Sequence, residues 1–152
     1  MQIYTRSVKA SPYSSSVLMV LCDSIDAARK ELKVKPSDKS NWDTGCIGQV
    51  FLDTGKYRRN YNLYMFINVP EHASIRELMD TFSHETVHLI DRVFDRAGVD
   101  TDYNNNEPYA YLLGNMVGEL WDLFYKVQSP TFCTKEGYIE IKPPQVEVKP
   151  IE

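Results

Sequence analysis

The chain has 152 residues, of which 43% are hydrophobic and 25% are charged, and its net charge is −4. This length and balance are typical of one globular domain. The acidic charge argues against a nucleic-acid partner, because neutralising phosphates requires a basic surface. The longest apolar run, Val17 to Cys22, has six residues, whereas a membrane-spanning helix needs about 20. We therefore expect neither nucleic acid nor a membrane as a partner.

The cysteines and the N-terminus indicate the compartment. Cys22, Cys46 and Cys133 form no Cys-x-x-Cys pair. A sparse, odd set argues against a disulfide framework and is typical of a reducing compartment. The first residues also lack the charged and then apolar layout of a signal peptide. These features predict a cytoplasmic protein.

The N-terminal third is predicted to contain two strands and a short helix. A strand is expected at residues 1–8, followed by a Ser/Pro linker at 11–16. Residues 17–22 are short, apolar and bounded by turn formers, which predicts a buried strand. Residues 23–32 form a short amphipathic helix that Asp23 or Ser24 can cap.

Two further strands are predicted before the long helices. The first covers residues 46–52 and is followed by a turn signal, Asp53-Thr54-Gly55-Lys56. The second covers residues 61–69, where side chains alternate with period two and both sets are fairly apolar. We therefore expect the second strand to be covered on both faces.

Two long helices and a tail complete the predicted fold. Ser74 and Glu77 fit a capping box and Gly98 fits a C-cap, which predicts a helix over residues 74–97. Pro108 fits the first turn of a second helix that runs to about residue 126. We expect an α+β fold, in which a small mixed or antiparallel sheet packs on these two helices. It forms one domain, 1–135, followed by a Pro-rich extended or disordered tail, 136–152.

The first long helix contains His84-Glu85-Thr86-Val87-His88, a His-Glu-x-x-His pattern. Residues four apart lie one turn apart on the same helix face, so both imidazoles can bind one ion. Two imidazoles and an open position suit Zn²⁺. Glu85 lies about 100° round the helix, where it can act as a general base on water without binding the metal. The alternative is an ordinary solvated helix face.

A third ligand has one main candidate. Glu107 opens the second long helix, which can return antiparallel to the first. On one face Glu107 is followed by Tyr111, Gly114 and Gly118, where the glycines leave room for another helix backbone. The alternative role for Glu107 is an N-terminal acid that favours the helix dipole. Glu119 is a second candidate acid, deeper in the helix and off this face.

The spacing of His84, Glu85, His88 and Glu107 resembles the gluzincin branch of the zincin metallopeptidases, whose type member is thermolysin. The resemblance covers residues 61–125. It implies a minimal zincin-like fold, His84, His88 and Glu107 as zinc ligands, and Glu85 as general base. The length of the chain and its Glu-Pro-Tyr-Ala-Tyr-Leu segment at residues 107–112 also resemble small zincin-like proteins of tailed bacteriophages and prophages. This second resemblance implies the host cytoplasm or the virion as the location.

The sequence departs from the thermolysin pattern in the groups around the metal. Tyr111 lies where that family has an Asp that supports a histidine, so Asp91 is the candidate to orient an imidazole. His72 is the remaining histidine and is expected in a loop. The oxyanion donor is expected to be a tyrosine, with Tyr111 as the main candidate and Tyr103 and Tyr109 as alternatives.

The expected function is zinc-dependent hydrolysis of a peptide bond in a protein or peptide substrate, through a metal-activated water. An edge strand, either 46–52 or 61–69, would hold the extended peptide. Two alternatives remain open. In one, the metal staples two helices of a non-enzymatic protein that binds a partner in an assembly, such as a phage structural component. In the other, the chain is a metal-free interaction domain.

Overall fold

The computed structural model describes residues 2–34, 48–52, 63–70, 73–101, 106–126, 131–134 and 137–140. The strands are β1 (Ile3–Ala10), β2 (Ser15–Cys22), β3 (Gly48–Leu52), β4 (Leu63–Asn68), β5 (Thr131–Thr134) and β6 (Gly137–Glu140). The helices are α1 (Ile25–Glu31), α2 (Ile75–Ala97) and α3 (Glu107–Tyr125). Most of the segment predicted as a linker is a turn at residues 11–14 that joins β1 to β2.

The first four strands form one mixed sheet in the order β1-β2-β4-β3. The β1–β2 and β3–β4 pairs are antiparallel, whereas β2 and β4 are parallel. Strands β5 and β6 form a separate antiparallel hairpin. The predicted α+β fold with a small mixed sheet is confirmed. Within the described part of the chain, β3 is an edge strand of this sheet.

Both faces of the sheet are covered, because alternate residues of its central strands enter different cores. Val17, Met19 and Leu21 of β2 pack in the core that α2 and α3 cover. Val20 and Cys22, from the same strand, pack in a second core with Ala28 of α1. Strand β4 alternates in the same way, with Tyr64 and Phe66 on the α1 side. This explains why residues 63–67 are apolar at successive positions.

Local capping signals set the ends of α2. The Ser74 hydroxyl accepts a hydrogen bond from the Glu77 backbone N–H at 3.3 Å. The Glu77 carboxylate in return accepts from the Ser74 backbone N–H at 2.9 Å, which lowers the pKa of Glu77. At the other end Gly98 has φ 65°, a left-handed conformation that suits glycine. The predicted capping box and C-cap are both confirmed.

Helices α2 and α3 pack antiparallel in a register that ring contacts define. The ring centroids of Phe82 and Trp121 are 5.2 Å apart, and those of Phe94 and Tyr109 are 5.6 Å apart. Helix α2 lies over β3 and β4, whereas α3 lies over β1 and β2. The side of α2 that points away from α3 therefore lies next to β3, at the edge of the sheet.

The C-terminal part is described only as far as Glu140. Strand β6 lies on the C-terminal side of the predicted domain boundary at 135/136, and residues 141–152 of the predicted tail lie outside the described residues. The boundary stays a prediction. Among the described residues, no helix combines the length and the apolar character that crossing a membrane requires.

Candidate functional site

His84 and His88 form a close pair on the exposed face of α2. Their Nε2 atoms are 3.2 Å apart and their ring planes are inclined by 81°. If each nitrogen bound zinc at about 2.0–2.1 Å, the angle at the ion would be roughly 100–106°, which is close to tetrahedral. Without a metal, the same spacing is a hydrogen bond between one protonated and one unprotonated ring nitrogen. The pair therefore fits a zinc ion by its spacing.

Glu85 lies beside the histidine pair, on the side of α2 that faces the sheet, and is only 8% exposed. Its carboxylate lies against the backbone of Gly48, the first residue of β3. Burial raises the pKa of Glu85 above its ordinary value of 4.5, while the neighbouring His84 and His88 oppose the shift. A raised pKa makes the carboxylate a stronger proton acceptor than an exposed glutamate.

An open groove of about 490 Å³ lies between α2 and β3. Both imidazoles and the Glu85 carboxyl group line it. The remaining lining residues come from the edge strand and from the last turns of α2: Gly48, Gln49, Val50, Asp91, Arg92 and Asp95. The volume is within the range of ligand-binding clefts. The fold therefore places the His-Glu-x-x-His side chains beside β3, an edge strand of the described sheet.

The structure does not bring Glu107 to the histidine pair. In the observed register Glu107 lies level with Arg96, about 12 Å beyond His88 along the helix axis. No group of three or more His, Cys, Asp or Glu side chains that could hold a metal is found within the described ranges. Glu107 lies in the first turn of α3, where an acid favours the helix dipole.

The other candidates on α3 are also placed away from the histidines. Glu119 pairs with Arg6 of β1, which lies at the opposite edge of the sheet from β3. A Cβ added at Gly114 or Gly118 would meet nothing within 4 Å among the described atoms. The close helix expected on that glycine face is therefore not found in the part of the chain that the structure describes.

The tyrosine that contacts α2, the helix with the His-Glu-x-x-His motif, is Tyr109 and not Tyr111. The Tyr109 hydroxyl lies 3.1 Å from Asp91 Oδ1 and 3.2 Å from the Val87 carbonyl oxygen, and its single proton can serve either acceptor. Burial, with Asp91 nearby, raises the pKa of Tyr109 to about 12. Asp91, expected to orient an imidazole, accepts this hydrogen bond from α3.

Tyr111, the main candidate for the oxyanion donor, is not placed beside Glu85. Tyr111 is 77% exposed and is not among the residues that line the groove. Successive helix residues are 100° apart, so Tyr109 and Tyr111 point to different sides of α3, and it is Tyr109 that points to α2. The alternative donor Tyr103, and His72, which was expected in a loop, lie outside the described residues.

Sequence reasoning missed the groove wall opposite the histidines. Gly48, Gln49 and Val50 are far from His84 in sequence, and only the pairing of β3 with β4 brings them close. Asp95 had an available signal, because it follows His84 by eleven residues and so repeats the same helix face.

Comparison of the chain with protein families, curated proteins and solved structures finds no match. The described residues also contain no three-ligand metal group. The predicted membership of the gluzincin branch, with its phage-encoded variants, is therefore wrong. The physical reason is the helix register, which separates Glu107 from the histidines. The observed geometry of the His-Glu-x-x-His side chains does not depend on that resemblance.

Proposed function

We propose that this protein is a zinc-dependent peptidase whose groove between α2 and β3 is the active site. The observation that carries the proposal is the 3.2 Å separation of the His84 and His88 Nε2 atoms, with a buried carboxyl group beside them. These are the donor type and spacing that tetrahedral zinc requires. Two protein ligands predict weaker zinc binding than a three-ligand site.

His84 and His88 would hold the ion, and Glu85 would move the proton. When bound, zinc lowers the pKa of its bound water to about 7 and polarises the scissile carbonyl. Glu85 would accept a proton from the water molecule while the water oxygen attacks the carbonyl carbon. Glu85 then returns the proton to the amide nitrogen as the C–N bond breaks. The products are a carboxylic acid and an amine, so the chain is left unchanged.

The proposed substrate is an extended peptide segment lying along β3. A peptide can add to an edge strand of a sheet as a further strand, through hydrogen bonds between the two backbones. Gly48 and Val50 belong to β3 and also line the groove. A peptide paired here would pass its backbone over Glu85 and the histidine pair.

Glu85→Gln tests the mechanism. The amide keeps the size of the side chain but cannot accept the proton, so we expect zinc content to remain and turnover to fall about 100-fold or more. A mixed peptide library, analysed by mass spectrometry for new termini with and without added zinc, gives the rate. Cleavage by Glu85→Gln at the wild-type rate would contradict the proposal.

A further inference from the structure

Gly48 is the first residue of β3 and pairs with Ile67 of β4. Glycine inside a strand weakens it, and its presence often marks a close approach by another group. The backbone of Gly48 is not in the left-handed region that requires glycine. Its conformation therefore does not explain why this position has no side chain.

The space around Gly48 does explain it. A Cβ built on Gly48 would lie 2.6 Å from Glu85 Oε1, and closer still to the Cγ and Cδ atoms of the same side chain. Real Cβ atoms do not approach other atoms so closely. The carboxyl group of Glu85 thus occupies the volume that any side chain at position 48 would need.

We infer that Gly48 is a positioning residue, which sets the place of the Glu85 carboxyl group relative to His84 and His88. This inference rests on the proposed function. The missing side chain lets the carboxyl group lie against β3, the same strand along which we place the peptide. One strand would then fix both the proton acceptor and the substrate backbone, so their separation depends on position 48.

Gly48→Ala tests the contact, with Gly114→Ala as the matched control. Each substitution adds one methyl group, but the new Cβ at position 114 meets no described atom within 4 Å. We expect Gly48→Ala to lower the melting temperature and Gly114→Ala to leave it unchanged or raise it. In a Glu85→Ala background, the loss caused by Gly48→Ala should shrink by more than half. Equal losses in both backgrounds would overturn the inference.

The steady-state constants test positioning as distinct from stability. A misplacement of about 1 Å in a reacting group costs about 100-fold in rate. We therefore expect Gly48→Ala to lower kcat by about this factor, with zinc content retained and KM within a few-fold of wild type. Gly114→Ala should keep the wild-type kcat.

The outcomes separate the two proposals. If wild type cleaves peptides and Gly48→Ala keeps the wild-type kcat, the inference about Gly48 is overturned and the proposed function stands. If wild type binds no zinc and cleaves nothing, the proposed function fails, and the positioning role fails with it. In that case the melting temperatures of Gly48→Ala in the wild-type and Glu85→Ala backgrounds still decide whether Glu85 occupies the space at Gly48.

Discussion

At the scale of single residues, burial controls the chemistry of Cys22. Its side chain packs in the core between the sheet and α1 and is a free thiol. Burial is the main cause that raises the pKa of Cys22 to about 11 from 9.0. The thiolate is the reactive form, so this cysteine should react slowly.

Alkylation measures this effect on a variant in which Cys46 and Cys133 are replaced by serine. At pH 8 we expect Cys22 to react about 100-fold more slowly than an unfolded control, because two pKa units separate their thiolate populations. The stabilisation from this thiol is present below pH 9 and is lost as the pH rises through about 11. Reaction at the unfolded rate would contradict this assignment.

The hydroxyl of Tyr109 gives a second prediction at the residue scale. Tyr109→Phe removes the hydrogen bond to Asp91 or Val87, and we expect a loss of about 1 kcal/mol in the free energy of unfolding. Tyr111→Phe is the matched control, because Tyr111 is exposed, and it should change stability by less than about 0.5 kcal/mol. Urea denaturation measures both. Equal changes would show that the hydroxyl of Tyr109 does not help to hold α3 against α2.

At the scale of elements, two glycines test whether the helices were assigned for the right physical reasons. Gly98 ends α2 at φ 65°, where alanine is strained, so Gly98→Ala should cost about 1 kcal/mol. Gly118 lies inside α3 with open space around it, so Gly118→Ala should stabilise by up to about 1 kcal/mol. Thermal denaturation of both variants compares the signs. Two losses of similar size would contradict the helical assignment of Gly118.

The elements that sequence reasoning predicted well are those with local signals. The capping box at Ser74 and the glycine after Ala97 depend on neighbouring residues, and both ends of α2 were predicted from them. The same holds for the His84–Glu85–His88 arrangement, because helix geometry alone brings residues four apart together. These features needed no knowledge of the rest of the chain.

At the scale of the whole molecule, the packing between elements could not be predicted from local signals. A reversal between two helices predicted that Glu107 would return to His88. The observed register instead follows from rings packing in the core, where Phe82 contacts Trp121 and Phe94 contacts Tyr109. The position of β3 at the sheet edge depends likewise on long-range pairing with β4. The groove is therefore a tertiary feature, although the three side chains of the proposed mechanism lie within five consecutive residues.

Titration of the metal-free protein with zinc, followed by calorimetry, tests the central claim that His84 and His88 hold a catalytic metal. We expect about one zinc ion per chain in wild type and in Glu85→Gln, and loss of binding in His84→Ala and His88→Ala. Glu107→Ala should bind zinc as wild type does, because the register keeps Glu107 away from the pair. Failure of wild type to bind zinc would contradict the proposed function, and loss of zinc binding in Glu107→Ala would contradict the two-histidine site.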